Sequence, residues 1–156
     1  MQSGEISQKP PEKGVRRVLT GEYLHTIDAK YRVFVPAKLR ESLGESFVIA
    51  KNIDGCLSLY HLDEWQKLTD KLSALPDSKT RAVKRFLFAF ACDATPDAHG
   101  RITLPQGLRE YASLDREAVF LGVGDHAEIW AAERWEAIKT GSNAAEIEEQ
   151  MKELGL

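Results

Sequence analysis

One phrase of the sequence occurs twice. The stretch DAKYRVFVPAKLRE at residues 28–41 returns as DAHGRITLPQGLRE at residues 97–110. In both copies an Arg follows the Asp by four positions, and a Pro follows that Arg by four more. The segments FVIAK and SLYHLDEW follow the first copy, and AVFLG and AEIWAAERW follow the second. The chain therefore contains one structural unit written twice.

Each copy predicts the same run of elements, namely strand, turn, strand, short helix, two strands and the start of a helix. RVFVP is a strand that Pro36 ends, because a ring nitrogen cannot donate to a sheet, and AKLRESL is a short helix after it. FVIAK and CLSLYHL are strands on either side of the turn-prone residues 52–55. Periodicity predicts helices over DEWQKLTDKLSAL, over DSKTRAVKRFLFAFACDA at residues 77–94, and over the terminal NAAEIEEQMKELGL.

Two copies are too few for a solenoid, which generally needs three or more repeats. We expect each copy to complete the sheet of the other, which predicts an α+β fold with one mixed, pseudo-two-fold β barrel and helices at its periphery. Closure would protect the strand edges. The predicted boundaries are a disordered N-terminal tail at 1–17, a first repeat at 18–66, a helical connector at 67–92, a second repeat at 93–138 and a C-terminal helix at 139–156.

The composition predicts a cytoplasmic protein of about one domain. The chain has 156 residues and no run of about 18 apolar residues that would span a membrane. Its first residues, MQSGEISQKPPEKGVRR, have no apolar segment of the kind that a secretory signal needs. Cys56 and Cys92 suggest neither a disulfide framework nor a zinc site, so we expect a reducing compartment.

Charge is unevenly distributed along the chain. Residues 1–40 contain eight Lys or Arg and four Asp or Glu, whereas residues 110–156 contain four basic and eleven acidic residues. Such asymmetry allows one face to approach an anion while another repels it. Charge alone favours the simpler interpretation of a basic tail and an acidic, solvated helix.

The repeated Asp and Arg suggest a rigid turn. A carboxylate four residues before an Arg can accept hydrogen bonds from the turn amides and from the guanidinium, which points a basic group outward. A clamp that only fixes the turn would leave the same pattern, so this alternative stays open. Gly100 suits such a turn because glycine tolerates positive φ, whereas Tyr31 at the matching position does not. The first turn is therefore built differently or strained, or Tyr31 is an unusual replacement.

These segments resemble the MraZ family of bacterial transcriptional regulators. The likeness rests on GEYLHTIDAKYRVFVPAKLRESL, CLSLYHLDEW, RFL at 85–87, DAHGRITLPQGLREYASL and EIWAAERW, and covers roughly residues 18–138. It implies two AbrB-like swapped-hairpin repeats in one chain and a ring-like homo-oligomer. It also implies binding of double-stranded DNA at short G-rich direct repeats, in the promoter of the division and cell-wall gene cluster. The protein would then be cytoplasmic and nucleoid-associated.

In this family the Arg of the doubled signature is tied to DNA binding, which carries to Arg32 and to Arg101. Members usually have Lys-Gly before the first Arg, whereas here Tyr31 replaces the Gly, and in the second copy His99 stands where a Lys would be. The first copy is therefore the predicted DNA face. Basic side chains neutralise phosphates and can address guanine in the major groove. The predicted DNA-binding residues are Lys30, Arg32, Lys38, Arg40 and Arg101, and the predicted turn-structuring residues are Asp28, Asp97 and Gly100.

An enzyme and a protein-interaction module are the two other classes of function that a chain of this kind could serve. The four His are scattered, Lys139-Thr140-Gly141 lacks a Ser-x-x-Lys partner, and Gly122-Val123-Gly124 lacks the third glycine of a dinucleotide site. We therefore expect no enzyme, no cofactor, no metal site and no small-molecule substrate. The alternative function is a protein-interaction module of the AbrB-like antitoxin type without autonomous DNA binding. Trp65, Trp130 and Trp135 are the candidates to line its surface, although two of the three, at copy-equivalent positions, are better explained as core residues.

Overall fold

The computed structural model describes residues 18–156, so the predicted N-terminal tail at 1–17 lies outside the described residues. The described part contains eight strands and six helices. The strands are β1 (Glu22–Thr26), β2 (Arg32–Phe34), β3 (Phe47–Lys51), β4 (Leu57–His61), β5 (Cys92–Ala94), β6 (Arg101–Thr103), β7 (Glu117–Gly122) and β8 (Ala127–Ala131). The helices are α1 (Ala37–Leu43), α2 (Leu62–Ser73), α3 (Asp77–Phe88), α4 (Gln106–Ala112), α5 (Ala132–Gly141) and α6 (Ala144–Glu153).

The two copies exchange their first strands. The main sheet has the order β1-β7-β8-β4-β3-β5. Going inward from either edge, one meets the first strand of one copy and then the third and fourth strands of the other copy. Strand β1 of the first copy pairs with β7 of the second, and β5 of the second copy pairs with β3 of the first. The centre is the β4–β8 pair, where Leu57 lies opposite Ile129. Each copy therefore completes the sheet of the other, as the repeat predicts.

The structure does not show the closed barrel expected from the sequence. Every strand pair among residues 18–156 is antiparallel, so the expectation of a mixed sheet is wrong. Strands β1 and β5 lie at the two edges of an open six-stranded sheet. Strands β2 and β6 lie outside this sheet and pair with each other as a separate two-stranded ribbon, and one residue separates each strand from a proline that precedes a short helix.

The core joins this ribbon to the main sheet. Val33 of β2 and Ile102 of β6 are 1% and 3% exposed, and they belong to one cluster with Leu39 of α1 and Leu108 of α4. The inward side chains of β3, β4, β7 and β8 complete this cluster from the sheet. Truncating a leucine in such a core typically costs about 2–5 kcal/mol of folding free energy, so the position of the ribbon is firmly determined. The largest fully buried side chains of the sheet are Phe47, Ile49, Leu57, Leu59, Phe120 and Ile129.

The connector between the copies differs from its sequence-based prediction at one end. Helix α3 ends at Phe88, whereas the periodic pattern predicts helix through residue 94. Residues 92–94 form β5 instead, with Cys92 opposite Ile49 and Ala94 opposite Phe47. The ladder with β3 satisfies backbone groups that a longer helix would have satisfied internally, and only the tertiary fold supplies that partner. No helix among residues 18–156 is long and apolar enough to cross a membrane.

Candidate nucleic-acid interface

The β2–β6 ribbon presents two arginines on one outward face. Arg32 lies opposite Thr103, and Phe34 lies opposite Arg101. Successive side chains of a strand point to opposite faces, and the buried Val33 and Ile102 occupy the inner one. The two arginines are therefore diagonal neighbours on the outer face, where such positions are about 7–8 Å apart. One arginine lies at each end of the ribbon, beside the turn that precedes its strand.

The first turn is built around Asp28. Its carboxylate accepts hydrogen bonds from the backbone N–H groups of Lys30 and Arg32, both at 2.9 Å, and from Arg32 Nε at 2.8 Å. The backbone closes the turn through Tyr31 N–H to Asp28 O at 3.0 Å. The bond from the Arg32 amide is the largest cause that lowers the pKa of Asp28 below its usual value. The carboxylate thus remains ionised and holds the Arg32 side chain in place.

The second turn repeats this geometry around Asp97. The carboxylate accepts from the amides of His99 at 2.9 Å and Arg101 at 3.0 Å, and from Arg101 Nε at 3.0 Å. Gly100 N–H closes the turn on Asp97 O at 2.9 Å. The Arg101 amide is likewise the largest cause that lowers the pKa of Asp97. The two copies therefore use one clamp design at opposite ends of the ribbon.

Tyr31 adopts the same left-handed backbone as its glycine counterpart. Its φ is +61°, and that of Gly100 is +80°. This conformation costs an L-residue with a side chain roughly 1–2 kcal/mol relative to glycine. Since the hydrogen bonds of the two turns match, the first turn is strained rather than built differently. Of the possibilities that the sequence leaves open, a differently built first turn is thereby excluded.

Side-chain exposure separates the five predicted DNA-binding residues. Lys30 and Lys38 are exposed, and the side chains of Arg32 and Arg101 are each 30% exposed beside their carboxylates. Arg40 is half-buried and donates from Nε to Val35 O at 2.9 Å, with Cζ 5.1 Å from the centre of the Phe34 ring. Arg40 therefore supports the ribbon, whereas the two lysines are the charges most available to a partner.

Arg109 is an arginine at the ribbon that the sequence reasoning missed. Arg109 is the counterpart of Arg40 in the second copy, and it donates from Nε to Leu104 O at 2.9 Å. Its Cζ lies 3.5 Å from the centre of the Tyr31 ring, a cation–π contact between the second copy and the turn of the first. The matched LRE triplets of the two copies carry this signal, because they place Arg109 where Arg40 stands.

Both ends of the ribbon are composite. Val35 N–H donates to Gly100 O at 2.9 Å, and Leu104 N–H donates to Tyr31 O at 2.8 Å. Each turn is therefore held by the strand end of the other copy. The exchange of strands in the main sheet and the exchange of contacts at the ribbon are parts of one pseudo-two-fold arrangement.

Acidic residues are present in the surroundings of both ends of the ribbon. Arg116 is exposed and adjoins the first turn, because its carbonyl accepts from Ile27 N–H at 2.7 Å. The cavity beside the second turn is lined by Glu41, Glu45 and Asp97, together with Arg40. Arg116 shares its own cavity with Asp115, Glu117 and Glu133, so an acidic rim that repels phosphate is present at both ends, and what favours the first turn for a polyanion is Lys30 in place of His99. Sequence reasoning missed Arg116, which is distant in sequence from the first turn.

Comparison with known proteins shows the family. A family model described as "MraZ protein, putative antitoxin-like" matches residues 18–86 and again residues 87–155. The two matches cover nearly all of the chain and repeat in the same order as the two copies. The chain belongs to the MraZ family. The doubled turn and ribbon are thus built from two tandem MraZ units.

Curated relatives agree with the family assignment over most of their length. A protein of Acetivibrio thermocellus is 45% identical over 140 residues, which cover 87% of this chain and 98% of that protein. One of Carboxydothermus hydrogenoformans is 47% identical over 135 residues, or 84% and 94% of the two chains. One of Pelotomaculum thermopropionicum is 46% identical over 140 residues, or 87% and 97%. Each of these relatives is named Transcriptional regulator MraZ.

Proposed function

We propose that this chain is a sequence-specific DNA-binding transcriptional regulator, and that the outer face of the β2–β6 ribbon and the first turn contact double-stranded DNA. The observation that carries the proposal is the placement of Arg32, which Asp28 holds on that outer face next to the exposed Lys30. Arginine in a fixed orientation can address the O6 and N7 acceptors of guanine in the major groove, while lysines neutralise phosphates. The names of the relatives support a role in transcription.

The finer parts of the proposal concern the target and the assembly. We expect short G-rich direct repeats in the promoter of the division and cell-wall gene cluster, bound by a ring-like homo-oligomer on the nucleoid. One ribbon offers few phosphate contacts, so a single chain would bind weakly. An assembly that presents the first turn several times to repeated sites would gain affinity through effective concentration. Arg101 and Lys38 would then add phosphate contacts at the rim of each site.

Titration of a promoter fragment with Arg32→Ala tests the proposal. The wild type should bind with an affinity that falls steeply with salt, because each neutralised phosphate releases counterions. Arg32→Ala should weaken binding to the specific site by roughly tenfold or more, as expected for loss of a base-reading arginine. Arg81→Ala is the matched control, since Arg81 is exposed on α3 outside the ribbon. Thermal melts should show that both variants are folded.

Two outcomes would contradict the DNA-binding function: a wild type with no salt-sensitive binding, or an Arg32→Ala variant that binds as well as the wild type. Either would favour the alternative of a protein-interaction module, which the words "antitoxin-like" in the family description support. The DNA-binding function and the alternative differ in the surface they need. DNA binding would use the outer face of the ribbon, whereas an interaction module would use the half-buried Trp65 and Trp135 on α2 and α5.

A further inference from the structure

The two ends of the ribbon each contain one aromatic ring beside one arginine, but the ring comes from a different place at each end. At the second turn it is Phe34, a strand residue, with Arg40 over it. At the first turn it is Tyr31, a turn residue, with Arg109 over it. Thr103, the counterpart of Phe34, is a small residue. The large and small side chains have thus changed places between the copies.

This exchange explains why only the first turn accepts a side chain. A Cβ added at Gly100 would lie 2.9 Å from Cε1 of Phe34, closer than real Cβ contacts, and 3.0 Å from Cζ of Arg40, which is at the tight end of such contacts. With Thr103 in place of a ring at the other end, Tyr31 has room above Arg109. At the second end, Arg40 stacks on Phe34, which is a residue of an extended strand. An aromatic partner for the arginine can therefore be supplied without a strained residue in the turn. The strain at Tyr31 therefore calls for another reason.

Position and exposure indicate that reason. Tyr31 lies between Lys30 and Arg32, and it is 44% exposed although Arg109 covers part of its ring. Tyrosine hydroxyls are among the groups that hydrogen-bond to DNA phosphate and sugar oxygens, which fixes the register of a protein on the duplex. We propose that Tyr31 is a further DNA contact, whose hydroxyl donates to a backbone phosphate oxygen, and that Arg109 is the positioning residue that holds its ring. This inference rests on the proposed DNA-binding function.

Tyr31→Phe is the direct test, because it removes the hydroxyl and keeps the ring, the stacking and the backbone conformation. We expect promoter affinity to fall roughly three- to tenfold, as for loss of one hydrogen bond. The loss should be similar on a scrambled duplex, because phosphate contacts carry no direct sequence information. A neutral donor displaces no counterion, so the slope of log affinity against log salt should stay at the wild-type value. Lys30→Ala is the matched control and should reduce that slope by about one.

A double-mutant cycle tests the positioning role of Arg109. Arg109→Met keeps an apolar stem and removes the guanidinium, so in the wild-type background it should weaken DNA binding at an unchanged salt slope. In the Tyr31→Phe background it should have little further effect, since its role acts through the hydroxyl. A reduced slope would show that Arg109 contacts phosphate itself, and additive losses would show that it acts independently. Either result would overturn the positioning role.

The failure of this inference can be told from the failure of the proposed function. If the wild type binds DNA, Arg32→Ala loses binding and Tyr31→Phe binds like the wild type, then the ring only supports the turn and the inference alone is wrong. If the wild type does not bind the promoter or any other duplex, both are wrong. A melting temperature of Tyr31→Phe equal to that of the wild type excludes a folding defect as the cause of weaker binding.

Discussion

At the scale of single residues, Gly100 is a position where both the backbone conformation and the neighbouring side chains oppose a larger residue. Its φ of +80° and the 2.9 Å approach of an added methyl carbon to Phe34 both disfavour any residue larger than glycine. We expect Gly100→Ala to lower the free energy of unfolding by about 1–3 kcal/mol, because the methyl adds both left-handed strain and an overpacked contact. Chemical denaturation followed by circular dichroism measures this loss.

Gly141→Ala provides the control for the glycine prediction. Gly141 ends α5, and an added methyl there meets nothing within 4 Å. This variant should be as stable as the wild type or slightly more stable, since alanine restricts the unfolded chain. A Gly100→Ala variant with wild-type stability would show that the second turn relaxes around the methyl at no cost.

The candidate site illustrates which residue contacts can be predicted from a sequence. The spacing of Asp28 and Arg32 suffices to anticipate the clamp, because all of its bonds lie within one turn. The contact of Arg109 with Tyr31 joins residues that are far apart in the chain, and it depends on how β2 and β6 align. Local spacing contains no information on that register. The repeat contains that information once its two copies are known to exchange strands.

At the scale of elements, the β7–β8 hairpin contains a charge pair that should make stability depend on pH. His126 Nε2 lies 3.7 Å from Glu128 Oε2, and Nδ1 lies 2.8 Å from Asp125 Oδ1. The Glu128 carboxylate is the largest cause that raises the pKa of His126, and His126 is the largest cause that lowers the pKa of Glu128. Both side chains are mostly buried, at 21% and 14% exposed, so solvent screens the pair only partly.

The direction of the pH effect follows from these two pKa shifts. The raised pKa of His126 contributes stability that is present below about pH 6.5 and is lost as pH rises through the folded value. The lowered pKa of Glu128 contributes stability above about pH 4.3 that is lost as pH falls through its folded value. His126→Gln should therefore cost about 1 kcal/mol at pH 5.5 and less at pH 9. Denaturant titrations at the two pH values measure the difference.

His99→Gln is the matched control for the hairpin, because it removes an exposed histidine from the second turn. Equal losses for His126→Gln at both pH values would contradict a role for the charged pair. In that case the stacking of His126 on Tyr60, with ring centres 5.2 Å apart, would account for the loss, since stacking needs no charge.

Elements were predictable where local pattern determines them. Helix α1 spans Ala37–Leu43, the segment that Pro36 and the AKLRESL pattern indicate. Strand β5 was not predictable, because the helical spacing of apolar residues in α3 continues into residues 92–94, which in the structure pair with the edge of β3. The open sheet was missed for a related reason. Alternating residues show that a strand has a buried face, and they do not show which neighbour it pairs with.

At the scale of the whole molecule, the exchange of strands predicts that neither copy folds alone as a monomer. Residues 1–90 expressed separately would contain β1 without β7, β2 without β6, β3 without β5 and β4 without β8, leaving the edges of four strands unpaired and part of the shared core in water. We expect no cooperative, monomeric unfolding transition from this half or from residues 91–156. Mixing the halves should restore a one-to-one complex with the melting behaviour of the intact chain.

Light scattering coupled to gel filtration distinguishes the outcomes of this experiment. A folded monomer of either half would show that the exchange is not needed for folding. A homodimer of the first half would instead be the same fold with a true two-fold axis, and both its ribbon ends would then carry Lys30 and Tyr31. In the intact chain those ends carry Lys30 and Tyr31 on one side and His99 and Gly100 on the other. Covalent linkage of the copies is what allows the residues at the two ends to differ.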